Sequence, residues 1–106
     1  MSKIVLKHEN KEYILEFNRN SVRQMEGLGF VLDEITSKPV TMIPMLFEGA
    51  FIKNCRGIKR KTISEIYDAI SDKTGLLEAL MEMYAETLST LTEENAEGNV
   101  SWAIVK

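Results

Sequence analysis

The chain has 106 residues, of which 44% are hydrophobic and 27% are charged, with a formal net charge of −3. This size and composition are typical of one globular domain with a single core, and they exclude an intrinsically disordered or fibrous protein. The single cysteine, Cys55, excludes an intramolecular disulfide and a metal site built from several thiolates. The apolar run near the N-terminus is too short for a signal peptide or a membrane span, so we expect a cytoplasmic protein that does not bind membranes.

The first predicted element is a β-hairpin. Two apolar or alternating runs, residues 4–6 and 13–17, flank a short polar stretch at 8–11. The alternation places Tyr13, Leu15 and Phe17 on one face. Because a two-stranded hairpin is only marginally stable by itself, helices must cover that face. The predicted fold class is therefore α+β, an N-terminal hairpin followed by about four α-helices in a compact helical domain.

Four helices are predicted from the apolar periodicity, over about 21–27, 41–54, 63–71 and from the low seventies to about 93. Asn20 or Ser21 is expected to cap the first helix. Ser21 and Thr62 each stand three residues before Gln or Glu, which matches a capping box. Asp72 or Thr74 is expected to cap the last helix. Pro44 fits the second helix only within its first turn, where its missing N–H has no partner to lose.

The segment Gly27-Leu28-Gly29-Phe30 has two interpretations. It spells the loop with which PDZ domains hold a peptide carboxylate. That loop leads into several further strands, whereas the sequence downstream of this one is mostly helical. We therefore favour the second interpretation, in which the glycines end the first helix by adopting the left-handed conformation.

The polar, uncapped stretch 93–99 separates the last helix from the end of the chain. We predict one α+β domain over residues 1–94 and a flexible C-terminal tail over residues 95–106, which includes Trp102.

The second helix is apolar on nearly all of its faces, and several of its residues are methionines. Such a helix either lies at the centre of the core or keeps apolar surface for a partner. Methionine fits both situations, because it fills gaps in cores and also suits surfaces that accept varied apolar partners. Our hypothesis is that this small domain cannot enclose all of its apolar side chains. The residues assigned to partner binding are Met42, Met45, Phe51, Ile52 and Met83.

Charge is divided unevenly along the chain. Residues 1–61 hold eleven Lys or Arg against seven Asp or Glu, about +4, whereas residues 62–97 hold one Lys against nine acids, about −8. The basic residues Lys53, Arg56, Lys59, Arg60 and Lys61 crowd a predicted loop, and the acidic residues Glu78, Glu82 and Glu86 recur every four residues on one helical face.

These two charged sets have several interpretations. The loop is either solvated and paired with the last helix of its own chain, or it binds an acidic protein or phosphates. The acidic stripe is either the wet face of an amphipathic helix or a surface for a basic partner. We predict that the two sets pair between copies of the chain and produce a homo-oligomer.

No constellation for catalysis or for binding a cofactor is found. His8 lies in the predicted turn without a nucleophile or carboxylate arranged around it, and Cys55 has no partner histidine. The acidic stripe offers equivalent carboxylates, whereas an acid/base pair needs different environments. We therefore predict that the chain is not an enzyme and has no cofactor and no metal.

Five short strings, together with the order of the elements, carry a resemblance to a known family. They are Tyr13-Ile14-Leu15-Glu16-Phe17, Gly29-Phe30-Val31-Leu32-Asp33-Glu34-Ile35, Met45-Leu46-Phe47-Glu48-Gly49-Ala50-Phe51, Leu80-Met81-Glu82-Met83-Tyr84-Ala85-Glu86-Thr87-Leu88, and Gly98-Asn99 leading to Trp102. In these features the chain resembles the tail assembly chaperones of long-tailed bacteriophages, particularly those of phages and prophages of Gram-positive bacteria. The resemblance spans roughly residues 3–102. None of the strings carries chemistry.

This resemblance implies a function in phage assembly. Proteins of that family bind and solubilise the long, helical tape measure protein before the tail tube polymerises around it, and they are absent from the finished virion. Many are made in two forms, of which the longer arises by ribosomal frameshifting and recruits tail tube subunits. The family transfers no catalytic or cofactor residues. Our alternative interpretation is a small nucleic-acid-binding regulator that uses the basic loop 53–61, whereas the chaperone interpretation needs no nucleic acid.

Overall fold

The computed structural model describes residues 2–106, so Met1 of the predicted domain lies outside the described residues. Two strands and four helices follow one another along the chain, and this order confirms the predicted α+β fold. The elements are β1 (Ile4–His8), β2 (Lys11–Leu15), α1 (Arg19–Gly27), α2 (Pro39–Gly49), α3 (Arg60–Ala69) and α4 (Lys73–Ser89). A single 3₁₀ turn, Leu32–Glu34, lies between α1 and α2.

The hairpin pairs β1 antiparallel to β2, with Ile4 opposite Leu15 and His8 opposite Lys11. Its two turn residues, Glu9 and Asn10, have φ of 50° and 64°, the left-handed values that a two-residue hairpin turn requires. The inner face packs on the helices, since Leu15 is fully buried there. The strand β2 is also held along its outer edge, where the Glu16 amide donates to the Ala50 carbonyl at 3.1 Å.

The helix caps differ from the sequence prediction in two of three cases. Asn18, not Asn20 or Ser21, caps α1, because the Asn18 side chain accepts from the Ser21 amide while the Ser21 hydroxyl accepts from the Asn18 amide. The predicted box starting at Thr62 is also wrong, because α3 begins at Arg60 and Thr62 lies within its first turn. Asp72 does cap α4, where its side chain accepts from the Gly75 amide at 2.9 Å.

The end of α1 confirms the prediction for Gly29, which terminates the helix, but not for Gly27, which is the last helical residue and has no positive φ. Gly29 has a φ of 100°, a value that costs glycine little. The Phe30 amide donates to the Met25 carbonyl and the Gly29 amide donates to the Glu26 carbonyl, both at 3.0 Å. These two bonds form a Schellman motif, which satisfies carbonyls that the helix leaves free.

Helix α2 begins earlier and ends earlier than predicted. Pro39 occupies its first turn, so Pro44 lies in the interior of the helix, contrary to the expectation. A proline there removes the bond to the carbonyl four residues before it, which belongs to Val40. Because Val40 and Pro44 are both exposed, water can solvate that carbonyl. After Gly49 the chain continues to about residue 54 as tight turns, such as the bond from the Ile52 amide to the Gly49 carbonyl.

One core joins all the elements, and α2 lies in its middle because it packs against α1, α3 and α4. Two groups of edge-to-face aromatic rings organise this core. Phe47 lies 5.0 Å from Phe51 and 5.2 Å from Tyr67 between ring centroids. Tyr84 lies 5.5 Å from Phe17 and 5.1 Å from Phe30. Such contacts add to the free energy gained from burying the rings.

Helices α1 and α2 approach closely at Gly49. A Cβ atom built on Gly49 would lie 2.3 Å from Sδ and 2.8 Å from Cγ of Met25, whose side chain is buried. We expect Gly49→Val to lower the free energy of unfolding by about 1–3 kcal/mol through overpacking. A Cβ on Gly27 would meet nothing within 4 Å, so Gly27→Ala is the control and should change stability by less than about 1 kcal/mol. Urea unfolding of both variants tests this difference, and equal stabilities would contradict it.

Residues 91–106 follow α4 without helix or strand, and all of them are exposed. Helix α4 itself ends at Ser89, about one turn earlier than expected. The flexibility of the tail and its boundary at residue 95 stay predictions. Among the described residues no helix is both long enough and apolar enough to cross a membrane.

Candidate binding groove

An open apolar groove of about 650 Å³ lies where the ends of α1 and α2 meet the start of α3. Its walls come from three places: the last turn of α1, the last turns of α2 with the residues that follow, and the loop before α3. The apolar lining consists of Met25, Leu28, Met45, Phe51, Ile52, Ile58 and Ile63. Polar side chains at its margin are Gln24, Glu48, Cys55, Arg56 and Arg60.

The local sequence explains why the groove stays open. The Schellman motif ends α1 directly after Leu28, so this leucine projects from the helix end with 68% of its surface exposed. Gly49 lets α1 and α2 touch, which brings Met25 into the floor. On the opposite side, Gly57 has a φ of 84°, a turn conformation that favours glycine. This turn leads the chain into α3 and leaves a gap between the loop and α1.

An ion pair lies between α2 and α3 at the margin of the groove. Arg60 Nε lies 3.2 Å from Glu48 Oε1, and it joins the first residue of α3 to α2. The Arg60 side chain is largely exposed, so the pair contributes little to stability. Its position matters more, because it places one acidic and one basic group at the margin of an apolar surface.

The structure divides the five residues assigned to partner binding into two groups. Met45 and Ile52 are half-buried and line the groove. Met42, Phe51 and Met83 are only 4%, 1% and 5% exposed, so the expectation that they offer surface to a partner is wrong. The reason is the central position of α2: Met42 lies on this helix, Phe51 follows directly after it, and Met83 lies on α4, which packs against it. Phe51 forms part of the groove floor, but its ring is also covered by Tyr13 at 6.1 Å.

Sequence analysis missed Met25, Leu28, Ile58 and Ile63 as lining residues. Leu28 carried a usable signal, because an apolar residue between two glycines at a helix end cannot be covered by its own helix. The other three carried no such signal. Their position at the groove depends on how α1 and α3 pack against α2, which is a tertiary property.

The basic residues of the predicted loop do not pair with the acidic last helix of their own chain. Within residues 2–106, Lys53 Nζ bonds Glu16 Oε2 at 3.0 Å and Arg60 pairs with Glu48, so both use acids of the N-terminal half. That intramolecular interpretation of the loop is therefore wrong. The three remaining basic residues, Arg56, Lys59 and Lys61, are exposed.

The acidic stripe on α4 is also divided. Glu86 accepts hydrogen bonds from the hydroxyl and the amide of Ser2, at 3.2 and 3.4 Å, so it holds the start of the chain against α4. Glu78 and Glu82 are exposed, and in the described part of the chain neither forms an ion pair. These two carboxylates are the ones available to another molecule.

Glu16 connects the end of β2 to the segment after α2. Its carboxylate accepts from Asn54 Nδ2 and from Lys53 Nζ, each at 3.0 Å. The hydrogen bond from Asn54, followed by that from Lys53, lowers the pKa of Glu16 below its ordinary value.

A lowered folded-state pKa stabilises the fold at pH values above the unfolded-state pKa, and this contribution is lost as the pH falls through the folded-state pKa. We expect Glu16→Gln to reduce stability at pH 7 by less than about 1 kcal/mol, because the group is close to solvent. The difference from the native chain should disappear at a pH below the folded-state pKa of Glu16. Urea unfolding of both proteins at neutral and acidic pH measures it, and a difference that grows on acidification would contradict the assignment.

His8 and Cys55 lie apart. His8 is at the hairpin tip with Nε2 3.9 Å from Glu9, whereas the Cys55 thiol lies 3.9 Å from the Ile14 carbonyl near the other end of the hairpin. Ile14 is three residues from Lys11, the partner of His8, which is roughly 10 Å along the strand. Among residues 2–106, no group of three or more His, Cys, Asp or Glu side chains is arranged to hold a metal ion.

A groove that is apolar inside and charged at its margin defines a domain with a surface suited to binding another molecule. Residues 1–105 match the model of a protein family described as Domain of unknown function (DUF5055), so the chain belongs to that family. No curated protein and no solved structure matches it.

Proposed function

We propose that this protein is a phage tail assembly chaperone that binds and solubilises the tape measure protein during tail morphogenesis. The proposal rests on the open apolar groove beside α2, into which Met45 and Ile52 project from one side and Leu28 from the other. The resemblance to tail assembly chaperones agrees with such a surface. The proposed setting is the cytoplasm of the bacterial host, with the chaperone released before the virion is complete, and the proposed action requires no catalysis.

The groove fits the side chains of one face of an amphipathic helix. An α-helix with its side chains is about 10 Å wide, so a groove of 650 Å³ takes apolar side chains from a helix rather than the whole helix. Two of its lining residues are methionines, whose flexible side chains adapt to different apolar partners. The same groove can therefore bind successive, non-identical segments of a long helical client.

One groove buries too little surface for tight binding, because association costs several kcal/mol before any gain appears. Several copies on one client overcome this limit, since each bound copy raises the effective concentration of the next. We therefore include self-association in the proposal. In a longer, frameshifted form of the kind that the resemblance implies, the extension would recruit tail tube protein to the coated client.

The exposed charges provide one means of self-association. Glu78 and Glu82 on α4 of one copy face solvent, as do Lys59 and Lys61 at the start of α3. We expect the native chain to associate at low salt, the double variant Glu78→Lys with Glu82→Lys to associate more weakly, and added Lys59→Glu with Lys61→Glu to restore association. Light scattering at several salt concentrations measures this. A strict monomer at high concentration and low salt would contradict it.

Co-expression with the tape measure protein tests the proposed function. The native chain should keep this client soluble and copurify with it. A client that stays insoluble, or that is soluble without the chaperone bound, would contradict the proposal. Because the proposed action has no enzymatic step, we expect His8→Ala, at the hairpin tip and outside the groove, to retain full activity in this assay.

Arg56, Lys59 and Lys61 are exposed and near one another in sequence, which supports the alternative of a nucleic-acid-binding regulator. Lys53 and Arg60 are engaged with carboxylates, so the basic surface is smaller than the sequence indicated. A gel-shift titration separates the two functions, because phosphate binding weakens steeply as salt rises whereas binding to an apolar groove does not.

A further inference from the structure

The outer edge of β1 has free backbone groups. In an antiparallel ladder, residues alternate between those that bond the partner strand and those whose amide and carbonyl face away from it. The two-residue turn is closed by the His8–Lys11 pair, so Lys7 and Val5 are residues whose backbone groups face away. The other strand supports this assignment, because the Ile14 carbonyl, opposite Val5, accepts from Asn54 outside the ladder.

The two edges of the hairpin are therefore not equivalent. The segment after α2 covers β2 through the bonds to Glu16 and Ile14. Lys3, Val5 and Lys7 are exposed, and among the described residues no hydrogen bond reaches the outward backbone groups of Val5 and Lys7. A free strand edge of this kind pairs readily with another strand. Val5 and its cross-strand partner Ile14 also leave a small apolar patch on the outer face, with 48% and 36% of their surfaces exposed.

The C-terminal segment has the pattern of a strand without a partner. From Val100 to Ile104, apolar residues alternate with small ones, so that Val100, Trp102 and Ile104 share one face and Ser101 and Ala103 share the other. Val105 ends the alternation, because it falls on the second face. Within the described chain these three apolar side chains are 90%, 84% and 72% exposed. Isolated surface apolar residues are ordinary. Here three of them, including the only tryptophan, share one face, so an extended segment presents a continuous apolar face to a partner.

We propose that the segment 99–105 of one copy adds as a third strand to the β1 edge of a second copy. Val100, Trp102 and Ile104 then lie on the same face as Val5 and Ile14 and cover them. The backbone groups of Val5 and Lys7 gain partners. This mode of recognition is β-strand addition, in which main-chain bonds supply affinity and alternate side chains supply specificity.

Charge complementarity favours this occupant. Lys3 and Lys7 flank Val5 on the edge. Glu12 lies opposite Lys7 in the ladder and the charge of Lys3 acts on Glu16, but in the described residues neither lysine forms an ion pair. Lysines on an edge oppose indiscriminate pairing with neutral strands. The segment that we assign to this edge is preceded by three acids, Glu93, Glu94 and Glu97. An acidic approach to a lysine-guarded edge selects this segment over an uncharged one.

A second copy is favoured because the segment does not fold back onto its own chain, where its side chains remain exposed. Each copy offers one strand and one edge, and the two surfaces differ. Such a head-to-tail contact continues into rings or open chains of copies. The inference is independent of the groove and of the proposed client.

Emission from Trp102 tests the proposal, because it is the only tryptophan. At about 0.5 M salt, where charge pairing between surfaces is screened, we expect blue-shifted emission at high protein concentration and a red shift on dilution, together with a fall in mass by light scattering. Emission typical of exposed tryptophan at every concentration would overturn the proposal. A blue shift that does not depend on concentration would overturn it as well, because the segment would then occupy its own edge.

Matched variants test the edge itself. Lys7→Pro and Lys7→Ala both remove the lysine charge, but only the proline also removes an amide that faces away from the ladder. At about 0.5 M salt we therefore expect the dissociation concentration of Lys7→Pro to be about tenfold or more above that of Lys7→Ala. Val100→Asp provides a second test on a side chain that the domain does not bury, and it should abolish association without changing thermal unfolding. If Val100→Asp associated as strongly as the native chain, the proposal would be overturned. This test does not depend on whether Lys7→Pro folds.

Discussion

Replacing Phe47 by alanine is expected to lower the free energy of unfolding by about 3–5 kcal/mol. Phe47 lies on the helix that contacts the three other helices, and its ring is almost completely buried. Its loss removes two edge-to-face contacts, with Phe51 and Tyr67, and leaves a cavity between α2 and α3. Because the free energy of unfolding of a typical domain is only about 5–15 kcal/mol, we expect a large fraction of the Phe47→Ala molecules to unfold on mild heating.

Urea unfolding followed by circular dichroism measures the effect. Val40→Ala is the control on the same helix, because the Val40 side chain is 88% exposed, and it should change stability by no more than about 0.5 kcal/mol. A loss below about 1 kcal/mol for Phe47→Ala would contradict the position that the structure gives to this ring.

The second large effect concerns binding. The double variant Met45→Glu with Ile52→Glu is expected to weaken binding to an amphipathic segment of the tape measure protein by about 100-fold or more. Each apolar side chain that is fully buried contributes roughly 1.5–3 kcal/mol, and each new carboxylate must lose its water to enter the groove. Both positions are half-buried, so the fold should tolerate the change. Isothermal titration calorimetry with a purified client segment gives the affinity.

Val40→Glu is the control for the added charge. It lies on α2 but does not line the groove, so it should bind the client as the native chain does. The conservative variant Met45→Leu keeps an apolar side chain of similar size and should lose little affinity. If the double glutamate variant and Val40→Glu bound the client with equal affinity, the groove would not be the binding site.

The fold class follows from the sequence because it depends on local signals. Alternation around a short polar stretch predicted the hairpin, and apolar periodicity predicted four helices in the right order. Helix ends were harder. Ser21 and Thr62 match a capping box, but so does any residue of that type three places before a polar partner, and Asn18 formed the better cap for α1. Pro44 was predicted in the first turn of α2 but lies in its interior. A proline is tolerated there because the Val40 carbonyl is open to solvent, and no local sequence pattern predicts that exposure.

The groove was only half predictable. The excess of apolar residues on α2 predicted that this helix either lies at the centre of the core or keeps apolar surface for a partner. The pattern alone could not decide between these two positions. Three helices and the 3₁₀ turn pack on α2. In this arrangement Met42 and Phe51 are buried, whereas Met45 and Ile52 lie at an open margin. Whether a residue is buried or lines the groove depends on the close approach of α1 and α2 at Gly49 and on the turn at Gly57.

The uneven distribution of charge along the sequence did not predict which charged residues pair within the chain. Lys53 and Arg60 pair with Glu16 and Glu48 because the turns after α2 bring them next to these acids. Opposite totals in two halves of a sequence therefore do not establish that the halves pair with each other. The same structure leaves Glu78 and Glu82 without an ion pair among the described residues, which keeps pairing between copies open to test.

The most direct test of the groove as the client-binding surface is methyl NMR of the chain labelled at its methionine methyl groups. Met45 lines the groove, whereas Met83 is buried in the core. On addition of a tape measure segment, we expect the Met45 resonance to shift strongly and to saturate with the client, while the Met83 resonance changes little. A saturating complex in which the Met45 resonance does not move would contradict the account.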